Sequence, residues 1–148
     1  MASADGETLQ AIGGVIAAQD AAWCAGDAAA FGASAMPDVV FTNVVGLFSV
    51  GIEPFNAQHA HIFAGIYKGS RLSQEIAHVT MAADDVAIVD TLTAVTGFAH
   101  LPPGAAAIDG ALRTRLEQVM VRRDGAWRVQ SFHNVPVSPA AAVARPSA

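Results

Sequence analysis

The chain has 148 residues, 53% of them hydrophobic, and a mean hydropathy of +0.39; that length and apolar content supply one domain with a substantial core and exclude a disordered body. Eight basic residues stand against thirteen acidic ones for a net charge of −5, with no basic stripe, so neither nucleic acid nor an anionic membrane is an expected partner. No apolar run approaches the roughly 18 residues that span a bilayer, and Met1-Ala-Ser-Ala-Asp5 lacks the basic start of a signal peptide; the expected location is the cytoplasm.

From the N-terminus, Asp5 to Cys24 predicts a helix whose larger apolar groups, Leu9, Ile12, Ile16 and Trp23, recur at near-helical spacing. Cys24, the sole cysteine, reads as a small core hydrophobe, with no basic neighbour to activate its thiol. Gly26 stops this helix, and Asp27 is suited to cap a second, short one through Ala35, closed by Met36-Pro37. Strand formers follow in Val39-Val40-Phe41-Thr42-Asn43-Val44, with Gly46 and Gly51 punctuating the loop behind. Pro54 opens a third helix to about Ile66, with Phe55, His59, Ile62, Phe63 and Ile66 on one stripe. The period then changes to two: Leu72–Met81, Val86–Phe98, Leu112–Arg123 and Ala126–Val135 read as four consecutive antiparallel strands.

Asp124-Gly125 joins the last two strands and fixes their register, because a two-residue type I′ loop needs positive φ at both positions. Counting outward sets Met120 opposite Val129, Gln118 opposite Ser131 and Leu116 opposite His133. Gln118, Trp127, Val129 and His133 then share an apolar face with polar groups at its far end, the usual lining of a ligand cavity. The opposite face carries Val119, Val121 and Phe132, an association surface that predicts a homodimer. The expected fold is α+β: three N-terminal helices packed on the concave face of a strongly curved, mostly antiparallel sheet, with residues 1–136 as one domain and the Pro/Ala-rich residues 137–148 as a disordered tail.

This order of elements, with Trp23-Cys-Ala-Gly-Asp27, Phe41-Thr-Asn-Val-Val-Gly46, Ile52 to Phe63, Asp124-Gly-Ala-Trp127-Arg-Val129 and His133-Asn134, resembles the nuclear transport factor 2-like superfamily with its cystatin-like cone fold. Within it the chain is similar to small bacterial SnoaL-like proteins. The resemblance covers about residues 5 to 136 and implies dimerisation through the outer sheet face; the superfamily holds isomerases, cyclases, dehydratases and non-catalytic assembly domains, so it implies no single activity. Against its ketosteroid isomerases, the slot of the proton-abstracting aspartate falls on Asn43, that of the tyrosine donor on Gln19, and that of the protonated aspartic acid on Gln118. All three are amides, which can donate a hydrogen bond to an oxyanion but cannot take a proton from carbon at neutral pH. Steroid-isomerase chemistry is therefore not implied.

His59 faces inward, either as a core ring satisfied by one hydrogen bond or as a catalytic or ligand-contacting group; His61, two residues on, points elsewhere. His133 reads as pocket-lining or as rim packing. Asp90 shares a face with Val86, Ile88, Leu92 and Ala94: it is either buried with a partner, where beside an imidazole it would form an acid/base pair, or solvated on the outer sheet face. Two classes of function remain. The first is a small-molecule acid/base enzyme with His59, Asp90 or His133 titrating and Gln19, Trp23, Asn43, Phe55, Phe63, Gln118 and Trp127 holding the ligand. The second is a non-catalytic binding or dimeric assembly module. No metal-ligand spacing and no Gly-x-Gly-x-x-Gly after a strand are present, so no metal and no cofactor is expected.

Overall fold

The computed structural model describes residues 3–143. Its first helix, α1, spans Gly6–Cys24, and the Asp5 carboxylate caps it by accepting from the Thr8 N–H at 2.7 Å, which satisfies one of the donors that a first turn leaves unpaired. Ile12, Ile16, Gln19 and Trp23 are buried on its inner stripe; Leu9, one turn nearer the start, is 43% exposed and stays outside it. The chain reverses at Gly26 with φ +66°, a value that side-chain-bearing residues rarely adopt. Asp27 then caps α2, Ala28–Gly32, through the Ala30 N–H at 3.0 Å.

Met36-Pro37 does not close that helix, as the sequence suggests, but lies inside the strand β1, Ala35–Thr42. Proline fits there because the ladder to the neighbouring strand breaks between Ala35 and Val40, leaving a stretch where no ladder N–H is required. A second strand that the sequence does not announce, β2 (Phe48–Val50), folds back antiparallel on β1 with Val40 opposite Val50. The helix α3, Ile52–Ala64, buries Phe55, His59 and Phe63 at i, i+4 and i+8, while His61 is exposed. The meander follows as β3 (Arg71–Ala83), β4 (Val86–Thr96), β5 (Leu112–Arg123) and β6 (Ala126–Pro136), and a five-residue helix α4, Pro139–Val143, comes after it with no buried side chain. The remainder of the expected tail, residues 144–148, lies outside the described residues.

The six strands form one sheet in the order β2-β1-β6-β5-β4-β3. Only the β1–β6 pair is parallel, so the architecture is α+β with a mostly antiparallel sheet. Burial along β4 tells which face the helices cover: Ala87, Val89, Thr91, Thr93 and Val95 are buried, and the alternate residues only half-buried.

Asp124 and Gly125 adopt φ of 51° and 78°, the positive pair that a type I′ loop needs, and the register counted from them holds as far as Met120 opposite Val129. A bulge at Gln130 then adds one residue to β6, so Gln118 faces Phe132 rather than Ser131, and Leu116 faces Asn134 rather than His133. A one-residue slip turns every later side chain to the other face. Phe132, expected on the outer association surface, is therefore in the core at 2% exposure, Asn134 turns inward, and His133 turns out to solvent.

Candidate functional site

Between α3, the end of α1 and the inner sheet face lies a cavity of about 100 Å³. One wall is aromatic, made by Trp23, Phe31, Phe41, Phe55 and Phe132; Gln58, Thr93, Thr114 and Asn134 add polar groups, and among the described residues His59 and Tyr67 are the only titratable ones in its lining. Drug-sized ligand sites run to roughly 300–1,000 Å³, whereas an apolar cavity of about 150 Å³ accepts benzene. The volume therefore limits an occupant to about one ring.

His59 is held by its own helix. Its Nδ1 lies 2.8 Å from the Phe55 carbonyl oxygen, and because that oxygen only accepts, Nδ1 carries the proton and Nε2 is left as a bare lone pair. No described residue donates to Nε2. The imidazole is stacked against Phe31 at 4.7 Å and Phe41 at 5.3 Å between ring centroids, with Phe55 tilted against it at 4.3 Å. Burial in this apolar shell disfavours the imidazolium and lowers the pKa to about 4, against a smaller opposing pull from the Phe55 carbonyl. At neutral pH the ring is thus an uncharged hydrogen-bond acceptor.

The other polar groups divide into occupied and free. Trp23 Nε1–H donates to Ser70 Oγ at 2.9 Å, and that hydroxyl donates to the Tyr67 carbonyl at 2.7 Å. The Thr93 and Thr114 hydroxyls bond each other across β4 and β5. The Tyr67 phenol finds no partner among the described residues, and burial pushes its pKa up to about 12, so it too is neutral. The Asn134 Oδ1 is buried without a partner among the described residues.

Beneath the sheet, beside the cavity but not in its lining, three glutamines close on one another. Gln19 Nε2 donates to Gln118 Oε1 at 2.8 Å, Gln118 Nε2 returns the bond to Gln19 Oε1 at 3.1 Å and reaches Gln74 Oε1 at 3.0 Å. Gln74 Nε2 donates to Gln19 Oε1 at 2.9 Å and to Asp20 Oδ1 at 3.0 Å, and the Thr91 hydroxyl donates to Gln74 Oε1 at 3.1 Å. Gln19 and Gln118 are 1% and 0% exposed; paired face to face, an amide satisfies both its donor and its acceptor, which is what makes burial of such groups tolerable. Burial raises the Asp20 carboxyl pKa although Gln74 hydrogen bonds pull the other way.

No protein-family model and no curated protein matches the chain. Solved structures do. An uncharacterised protein with a cystatin-like fold from Caulobacter vibrioides is 26% identical, with 93% of this chain and 94% of that one covered at a TM-score of 0.79. A nuclear transport factor 2-like protein of unknown function from Shewanella oneidensis is 15% identical over 86% of this chain and 98% of that one, TM-score 0.69. The chain has the nuclear transport factor 2-like, cystatin-like fold. A putative scytalone dehydratase from Novosphingobium aromaticivorans is similar at 13% identity, with 88% and 84% covered and a TM-score of 0.73.

Within this nuclear transport factor 2-like frame the expected site residues part company. Trp23, Asn43, Phe55 and His59 line the cavity together. Gln19 and Gln118 do not reach it, because each is consumed by the other. The Asn43 carboxamide oxygen is equally committed, accepting the Val45 and Leu47 N–H groups at 3.1 and 2.9 Å and so shaping the turn behind β1. Phe63 lies behind the wall, edge-on to Trp23 at 4.9 Å. Trp127 lies at the far end of β6, under the Arg122 guanidinium at 5.6 Å, and lines a separate groove with α1. Asp90 and His133 are both on the outer face, in one row across the sheet: His78 faces Asp90, Asp90 faces Glu117, and Glu117 faces His133. The acid/base pair imagined for Asp90 in the cavity is thus absent; strand alternation puts its neighbours Val89 and Thr91 inside instead. Among the described residues no group of three or more His, Cys, Asp or Glu is placed to hold a metal ion, and no helix is long and apolar enough to cross a membrane.

Sequence reasoning missed Tyr67, Thr93, Thr114 and Asn134. Asn134 had a signal: the alternation Trp127 in, Arg128 out, Val129 in breaks at Gln130-Ser131, two polar residues in succession before Phe132, as a bulge would produce. Tyr67 sits in the turn after α3, beyond the reach of any period.

Proposed function

We propose that the protein binds a small, neutral, ring-sized organic molecule in the cavity beside α3, the ligand donating a hydrogen bond to His59 Nε2. The observation that carries the reading is the fixed tautomer of His59: on a buried ring among aromatic faces, an Nε2 lone pair that receives no hydrogen bond from the described residues is a recognition group for a flat ring bearing O–H or N–H. Among the described residues no carboxylate, lysine or arginine lines the cavity, which disfavours ionic ligands through desolvation. Calorimetric titration with phenol, anisole and benzoate tests this. Phenol should bind; anisole, which lacks the donor, should bind about tenfold more weakly, the worth of one buried hydrogen bond; benzoate should not bind. Equal affinity for phenol and anisole would refute the role of Nε2.

One observation favours turnover as a second reading: the unpartnered Tyr67 phenol shares the cavity with the His59 lone pair. His59 can take a proton from an acidic C–H while Tyr67 steadies the developing oxyanion, an acid/base isomerisation or dehydration in keeping with the dehydratase-named structural neighbour. A pKa of about 4 makes Nε2 a weak base, so slow turnover is expected, and Tyr67→Phe should remove it while sparing phenol binding.

The outer face supports a homodimer in the same proposal. With Phe132 in the core and Val121, also expected on this surface, buried at 8% exposure, its half-buried apolar groups include Ile88 and Leu92 on β4 and Val119 on β5, between the charged groups of Asp90, Glu117 and Arg115. Val119→Asp should convert a dimer to a monomer in sedimentation; a monomeric unaltered protein at micromolar concentration would defeat the proposal.

A further inference from the structure

Asn134 is a cavity-lining amide on the sheet wall. Its Oδ1 is buried and makes no hydrogen bond to the described residues, although the side chain lines the cavity. Its environment explains why nothing nearby answers. The hydroxyls of Thr93 and Thr114 are bonded to each other, and the cross-strand neighbour of Asn134 on β5 is the apolar Leu116. A buried polar atom left unpaired by its own chain is uncommon in folded proteins, and a role in holding a ligand is one of the few reasons for it. The bulge at Gln130 is what aims this residue inward, and bulges recur where a strand must present a side chain to a site.

His59 reaches the same cavity from α3, on the wall opposite the sheet. His59 and Asn134 therefore line the cavity from two sides, and the unpartnered Tyr67 phenol lines it with them. Resting on the reading that the cavity holds a neutral ring, we infer that its ligand carries two hydrogen-bonding hydroxyls, one donated to His59 Nε2 and a second received at Asn134. A hydroxyl suits Asn134 in either orientation of its carboxamide, since it donates to Oδ1 or accepts from Nδ2, whereas His59 accepts only. The chemical class is thus a dihydroxylated six-membered ring or an enolised cyclic diketone. A monohydroxylated ring would leave the Asn134 group unpaired, and a charged substituent at either end would lack a counter-ion in the lining.

The test is calorimetric titration of the full chain with phenol and the three dihydroxybenzenes, catechol, resorcinol and hydroquinone, whose hydroxyl separations increase in that order. At least one isomer should bind about ten times more tightly than phenol or better, the gain from one further buried hydrogen bond. Asn134→Leu should reduce that isomer to within twofold of phenol and leave the phenol Kd itself within twofold, with Asn134→Ala as the companion variant if the larger side chain disturbs folding as judged by circular dichroism. The inference is overturned if no diol binds more tightly than phenol, or if the preferred diol keeps its advantage in the substituted protein; phenol binding in those cases leaves the proposed function standing. If neither phenol nor any diol binds, the proposed function falls as well.

Discussion

Between pH 6.5 and 4 the protein should lose about 3 kcal/mol of stability through His59 alone, since its pKa falls from 6.5 to about 4 on folding and a tenfold change in proton affinity corresponds to about 1.4 kcal/mol. The sign follows from proton counting. In that window the unfolded chain binds a proton at His59 and the folded chain does not, so acid favours unfolding; above pH 6.5 neither state is protonated there and the contribution is constant. His59→Phe should flatten this slope. Phenylalanine fills a similar place between Phe31 and Phe55 and leaves no carbonyl orphaned, because the Phe55 oxygen keeps its helical partner, the backbone N–H of residue 59. Asp20, whose carboxyl pKa is raised by burial, acts in the opposite direction but is common to both proteins and cancels in the difference. Urea denaturation of the two proteins at pH 7 and pH 4.5 supplies the comparison; parallel losses in both would mean that His59 is not buried neutral. The same substitution should abolish the preference for phenol over anisole.

Gln118→Glu should be more damaging still, by about 4 kcal/mol at pH 7, in the range seen when a buried charge lacks its partner. Gln118 is 0% exposed, and its Nε2 donates to two acceptors, the Oε1 atoms of Gln19 and Gln74. A glutamate offers those two oxygens one proton at most, and when ionised it offers none. Its pKa in the folded protein must therefore lie above the usual carboxylate value. A raised carboxyl pKa gives stability that is present at low pH and lost as pH rises, so the variant should recover part of its deficit on acidification, opposite in sign to the His59 effect. Thermal denaturation of the variant from pH 7 down to pH 4 reads this directly. A Tm within a few degrees of the unaltered protein at pH 7 would mean that the amide cluster is open to water.

These two residues also mark where sequence reading succeeds and where it stops. Periodicity places Phe55, His59 and Phe63 on one buried stripe because helical geometry is local, and the turn chemistry of Asp124-Gly125 places the last hairpin for the same reason. The register fails beyond Val129 because a bulge depends on how a whole strand meets its neighbours; the cost is His133 and Phe132 on the wrong faces and Asn134 overlooked. The slots carried over from the resemblance bring Gln19 and Gln118 together, yet only the side-chain geometry reveals that they face each other rather than a ligand. Asp90 is undecidable from its strand, where both faces of β4 carry valine and threonine or leucine; burial against α1 and α3 on one side settles it.

The central claim is that His59 presents an unprotonated Nε2 to an occupant of the cavity, and nitrogen-15 NMR of the histidine rings tests it most directly. At pH 7 His59 should show the Nδ1–H tautomer with a bare Nε2, stay neutral until about pH 4, and shift its Nε2 resonance on addition of phenol but not of anisole. An Nε2–H tautomer, or an Nε2 resonance indifferent to phenol at saturating concentration, would contradict it.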